Sequence, residues 1–134
     1  MTGRSKETML INLTNHPVAR WSEEQRREAV RQWNEIEDYP FPSVGAQWND
    51  VQMKQCAEAI VTEVTAKSPD AVLCQGEMSM TFLLVAMLQK KCIPVYAATS
   101  ERQSREELLP DGTISKNIIF HFVQFRKYGD LAKL

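Results

Sequence analysis

The stretch Asp70-Ala71-Val72-Leu73-Cys74-Gln75-Gly76-Glu77-Met78-Ser79-Met80-Thr81 constrains this chain most. Ala71 to Cys74 is an unbroken apolar run, as in a strand buried on both faces. It stops at Gln-Gly-Glu, where Gly76 permits a tight turn, and restarts as a helical pattern. Strand, turn and helix N-terminus in that order define the edge of an open α/β sheet. Ligands there lie outside the carboxyl ends of the strands, where helix N–H groups can receive an anion. Gln75, Gly76, Glu77 and Ser79 are therefore candidate ligand-binding residues, with Ser79 also a candidate helix N-cap. Glu77 is the odd member, because a carboxylate repels an anion unless it accepts hydrogen bonds from a ribose or base, or orients an arginine.

On either side the pattern repeats. Thr8 to Thr14 is β-prone and stops at Asn15-His16-Pro17. Ser22 and Gln25 have capping-box spacing, and the helix they open runs to about Asn34, burying Ala29, Val30 and Trp33. Ile36 to Phe41 predicts a second strand. From Asp50, an apolar stripe of Met53, Cys56, Ala57, Ile60 and Val64 predicts a second helix, ending before Ser68-Pro69. Met80 to Leu88 is apolar nearly all round. One sheet cannot cover that much apolar helix surface, so a second copy docking on helix 79–91 is expected. Ile93 to Ala98 predicts a fourth strand, Glu101 to Glu107 an exposed charged excursion, Asp111-Gly112 a turn, and Asn117 to Arg126 a last strand antiparallel to the fourth. The order β-α-β-α-β-α-β-β predicts one Rossmann-like α/β domain over 1–134, with its ordered core at about 8–128. Its sheet is mostly parallel, with helices on both faces and a C-terminal antiparallel strand.

A chain of 134 residues suits one domain, and 16 basic against 17 acidic residues leave no global basic field of the kind non-specific DNA binders use. Cys56, Cys74 and Cys92 fall in apolar patterns without a C-x-x-C, which predicts reduced core thiols and a cytoplasmic address. Neither a signal-peptide core nor a membrane span is expected. No metal-ligand spacing, nucleophile elbow, Walker loop or dinucleotide fingerprint occurs, so no metal site and no cofactor are predicted.

With strands one, three and four adjacent, their carboxyl ends bring together Asn15-His16, Gln75-Gly76-Glu77 and Thr99-Ser100-Glu101-Arg102. Polar residues after strands are ordinary loop chemistry one cluster at a time, but three on one rim predict a binding site. His16 can serve as a general acid or base or as a phosphate donor, or it can simply satisfy turn backbone. His121, mid-strand between Phe120 and Phe122, reads as a packed or edge histidine. Arg102 has the guanidinium to hold a phosphate, although Glu101, Glu106 and Glu107 lie near enough in sequence to neutralise it.

Four segments together resemble a known family: Leu10-Ile11-Asn12-Leu13-Thr14-Asn15-His16-Pro17, Val72-Leu73-Cys74-Gln75-Gly76-Glu77, Ala97-Ala98-Thr99-Ser100-Glu101-Arg102 and Phe122-Val123-Gln124-Phe125-Arg126. They resemble the small stand-alone CRISPR-associated proteins of the CARF (CRISPR-associated Rossmann fold) superfamily, over about residues 9 to 128. The resemblance implies a homodimer that binds cyclic oligoadenylate messengers of type III CRISPR defence across its two-fold axis. Several small members are ring nucleases, which linearise the messenger. The resemblance assigns no catalytic residue here; the rim chemistry makes His16 and Arg102 the catalytic candidates. Asn15, Gln75, Gly76, Glu77, Ser79, Thr99, Ser100, Glu101 and Arg126 are the ligand-binding candidates. The alternative is a dimer that senses the nucleotide, or binds a protein, without cleavage.

Overall fold

The computed structural model describes residues 8–134. Five strands form one sheet in the order β2-β1-β3-β4-β5: β1 (Met9–Thr14), β2 (Glu35–Asp38), β3 (Ala71–Gln75), β4 (Val95–Leu108) and β5 (Ile114–Lys127). The first four in that order are parallel and β5 runs antiparallel to β4, so the chain is a mixed α/β protein. The chain leaves β1 towards β2 on one side and returns to β3 on the other. The order therefore reverses between β1 and β3, and a crevice opens at their carboxyl ends.

Alternation along the central strands sorts the core into two layers. Ile11, Leu13, Val72, Cys74 and Val95 face α2 (Asp50–Ala66) and α3 (Met78–Lys90), while Leu10, Ala71 and Leu73 face α1 (Glu23–Trp33) together with Phe125. Trp33 of α1 packs edge-on against Tyr96 and Phe125 at centroid distances of 5.1 and 5.4 Å, a favoured aromatic geometry. The helix starts are set by side-chain caps. Ser22 accepts from the Gln25 N–H, and Asn49 and Gln52 cap each other reciprocally ahead of α2.

Several sequence expectations need correction. Val30 is exposed, because only Ala29 and Trp33 of α1 reach the sheet. The second strand stops at Asp38, short of Phe41: Pro40 and Pro42 bracket the next residues and supply no ladder donor. Cys92 is exposed rather than core, since α3 ends at Lys90 and the chain turns through Cys92 with φ of 61°. The largest difference lies at Glu101 to Glu107. This segment is not a loop: β4 continues through it to Leu108, paired residue for residue with β5. Glu, Arg, Gln and Ser have weak strand preference, and the β-branched and aromatic residues of the partner strand, Ile114 to Phe122, impose the conformation. The result is a two-stranded arm that projects from the carboxyl rim of the sheet, closed by a turn at Asp111-Gly112 where Gly112 takes φ of 86°.

Candidate functional site

The rim pocket lies on the α1 side of the sheet, between the loop after β1 and the base of the arm. It encloses about 360 Å³ and is lined by Thr14, His16, Arg20, Trp21, Ser22, Gln25, Leu73, Gln75, Ala98, Ser100, Phe120 and Phe122. Of the residues expected on sequence grounds, His16, Gln75 and Ser100 meet here. The strand ends bring them together, since Thr14 and Gln75 are direct partners in the β1–β3 ladder.

The loop that carries His16 is held by a buried polar network. Asn12, only 1% exposed, donates from its amide to the His16 carbonyl and to Asp38 Oδ1, each at 2.8 Å. Thr14 donates to Asn12 Oδ1 at 2.8 Å and accepts from the His16 N–H at 3.1 Å, and Trp21 Nε1 adds a second donor to the His16 carbonyl at 2.9 Å. Asp38 also accepts from the Val18 N–H at 3.1 Å. A satisfied network of this kind fixes a single conformation. The His16 backbone is pinned from three directions, and the residue lines the pocket.

Gln75 has a structural task. Its amide donates to the Ala98 carbonyl at 3.2 Å and accepts from the Ala98 N–H at 2.9 Å, so the side chain extends the β3–β4 ladder just where the backbones diverge. Gly76 does not need a left-handed turn, because Gly112 is the only described glycine with positive φ. It is small for another reason: a Cβ there would overlap the ring of Phe41, which is itself buried.

Glu77, not Ser79, is the N-cap of α3. Its carboxylate accepts from the Ser79 N–H at 3.1 Å and the Met80 N–H at 2.7 Å, and from the Ser79 hydroxyl. These bonds, led by that of the Ser79 hydroxyl, hold the Glu77 carboxyl below its usual range. The anion expected at this helix terminus is thus supplied by the chain itself. Glu77 and Ser79 turn towards a different depression, an apolar groove of about 890 Å³ between α2 and α3 that Met53, Phe82, Leu83 and Met87 also line.

The remaining candidates lie apart from the rim pocket. Arg102 pairs with Phe120 on the arm, Thr99 and Glu101 pair with Gln124 and His121 on the arm's opposite face, and Arg126 pairs with Ala97. Asn15 is exposed in the loop after β1. Sequence reasoning did not single out Asn12, Trp21, Phe120 or Phe122 for this site. Asn12 was hidden inside an otherwise apolar strand, and the two phenylalanines become pocket walls only because β4 and β5 continue together past the sheet. Among the described residues no group of three His, Cys, Asp or Glu side chains is placed to hold a metal ion, and no helix is long and apolar enough to cross a membrane.

Fold and site together define a mixed α/β protein with a polar, aromatic-walled pocket at the carboxyl rim of its sheet. The sequence matches the family described as the uncharacterized protein MJ1673 family over residues 8–126, and the chain belongs to that family. No match is found among the curated proteins.

Proposed function

We propose that this chain is a Rossmann-like, CARF-type homodimer of the cytoplasm that binds a cyclic oligoadenylate in type III CRISPR defence and linearises it. The rim pocket carries this reading: basic and hydroxyl residues (His16, Arg20, Ser100) line it together with aromatic ones (Trp21, Phe120, Phe122). Such a pairing suits a nucleotide, with the guanidinium on phosphate and a base against an aromatic face. A volume of about 360 Å³ is at the small end for ligand pockets. It fits one nucleotide unit, so two copies would grip a tetra- or hexa-adenylate ring at two of its units.

The chemistry is an in-line attack of an adenosine 2′-hydroxyl on its own adjacent phosphorus. The 2′-oxygen bond to phosphorus forms, the bond to the 5′-oxygen breaks, and the products are a 2′,3′-cyclic phosphate and a 5′-hydroxyl. The protein has to align the three atoms and neutralise the phosphate. In this reading His16, on its pinned loop, takes the 2′ proton or gives one to the leaving oxygen. Arg102 stands on the arm rather than in the pocket, which favours a second reading in which the ring is bound and sensed but not cut.

The test is incubation of the protein with labelled cyclic tetra- or hexa-adenylate in excess EDTA, with products resolved by chromatography. Linear product ending in a cyclic phosphate is expected. Rings that are bound but stay intact support the sensing dimer, and rings neither bound nor cut refute both.

A further inference from the structure

Beyond its base, where Ser100, Phe120 and Phe122 line the rim pocket, the arm is left unexplained by this function. Ten residues of β4, Thr99 to Leu108, run past Ala98, the point at which β3 last touches the strand. At strand rise they reach about 30 Å beyond the rim. A two-stranded hairpin standing alone in water is marginal at best.

The arm is amphipathic across its pairs. The face that continues from Phe122 carries Phe120, Ile118, Ile114 and Leu108, and each of these four is at least half exposed. The other face pairs Glu101 with His121, Gln103 with Ile119, Arg105 with Asn117 and Glu107 with Ser115, and is mostly polar. The apolar stripe is an outward extension of the buried aromatic cluster of Trp33, Phe122 and Phe125.

The chain exposes 9386 Å². A compact monomer of 15.4 kDa exposes about 7,200 Å². An arm that stands clear of the core adds exposed surface of this kind, and on one of its faces Leu108, Ile114, Ile118 and Phe120 are each at least half exposed.

We infer that the apolar face of the arm is covered by the same face of the arm of a second copy. The occupant follows from the continuity with the core and from charge. The arm carries four acids (Glu101, Glu106, Glu107 and Asp111) against three bases (Arg102, Arg105 and Lys116), so two arms repel little. A dyad across the Ser104–Ile118 pair stacks Ile118 on the partner's Ile118. It also sets Arg102 over the partner's Glu106, since both lie two residues from Ser104 on the same face. Glu106 is already on that face, 3.8 Å from Lys116. In this inference the contact lies on the arm and not on helix 79–91, whose only large exposed apolar side chain is Phe82. The inference takes the second copy from the proposed function but not its ligand, so it is tested whether or not a nucleotide binds.

Sedimentation equilibrium of the full chain from 1 to 100 µM reads the result. The wild type is expected to be a dimer of about 31 kDa, twice the chain mass. Ile118→Glu should raise the dimer dissociation constant at least a hundredfold with the circular dichroism spectrum unchanged, and Phe82→Glu on α3 should leave the dimer intact. Arg102→Glu should weaken the dimer about tenfold, and adding Glu106→Arg should restore it. A variant in which Asn-Gly joins Ser100 directly to Phe122 removes the arm but keeps the core, and it should be monomeric. A monomeric wild type, a dimer that survives both Ile118→Glu and the shortened arm, or a dimer broken by Phe82→Glu alone overturns the inference.

Discussion

Gln75→Ala separates the structural role of the rim from its binding role. In the wild type the Gln75 amide makes two hydrogen bonds to the Ala98 backbone, at 2.9 and 3.2 Å, in a partly buried setting. Each such bond contributes about 0.5–1.5 kcal/mol net, and removing the side chain also leaves an N–H and a carbonyl poorly paired. The expected loss is therefore about 2 kcal/mol. For a domain of this length that lowers the melting temperature by about 6–10 °C. Differential scanning calorimetry measures it, and Gln75→Glu makes a sharp control: it keeps an acceptor for the Ala98 N–H but sets a carboxylate against the Ala98 carbonyl, so it should be no more stable than the alanine variant. An unchanged melting temperature in Gln75→Ala, together with lost nucleotide binding, would refute the ladder-extension argument and return Gln75 to the ligand.

Gly76→Ala should cost about 1–3 kcal/mol in urea unfolding, the usual effect of overpacking, because the new methyl meets the buried Phe41 ring; the double variant Gly76→Ala/Phe41→Leu should recover part of it. His16→Ala should slow single-turnover ring opening by about 100- to 10,000-fold if the imidazole moves the proton, whereas Arg20→Ala should mainly weaken binding, by about 10- to 150-fold. Burial pushes the Cys74 thiol up to about 12 from its ordinary 9.0. The unfolded chain therefore gives up this proton first, and the stabilising contribution, complete below about pH 9, is lost as pH rises towards 12; urea midpoints across that range measure the decline. At pH 8 a thiol reagent should modify exposed Cys92 quickly and Cys74 only on unfolding.

The sequence discloses the sheet through its strongest local signals. Val72 to Cys74 is an apolar run ahead of a clear breaker, Leu10, Ile11 and Leu13 are apolar positions of a β-prone segment, and the stripe through Ala57, Ile60 and Val64 has helical period; all became core. The arm was illegible because Glu101 to Glu107 takes its strand conformation from partners 8 to 20 positions later, which local preference cannot register. The rim was legible in part. The convergence of His16, Gln75 and Ser100 follows from strand order alone, but side-chain direction does not. Thus Glu77 turned to cap its own helix, Gln75 turned to the Ala98 backbone, and Arg102 travelled out along the arm. Asn12 looked like an interruption in a buried strand. Its role appears only when Asp38, on the neighbouring strand, stands beside it to accept a hydrogen bond from its amide.

Trp21 lines the rim pocket, which makes its fluorescence the most direct test of the central claim. Titration of cyclic tetra-adenylate into a Trp33→Phe/Trp48→Phe background, whose Trp21 reports alone, should give a saturable change at one ring per two chains. The same titration in Arg20→Ala should be weakened at least tenfold. A flat titration up to 100 µM ring, in protein shown to be folded by circular dichroism, would contradict the nucleotide-binding account.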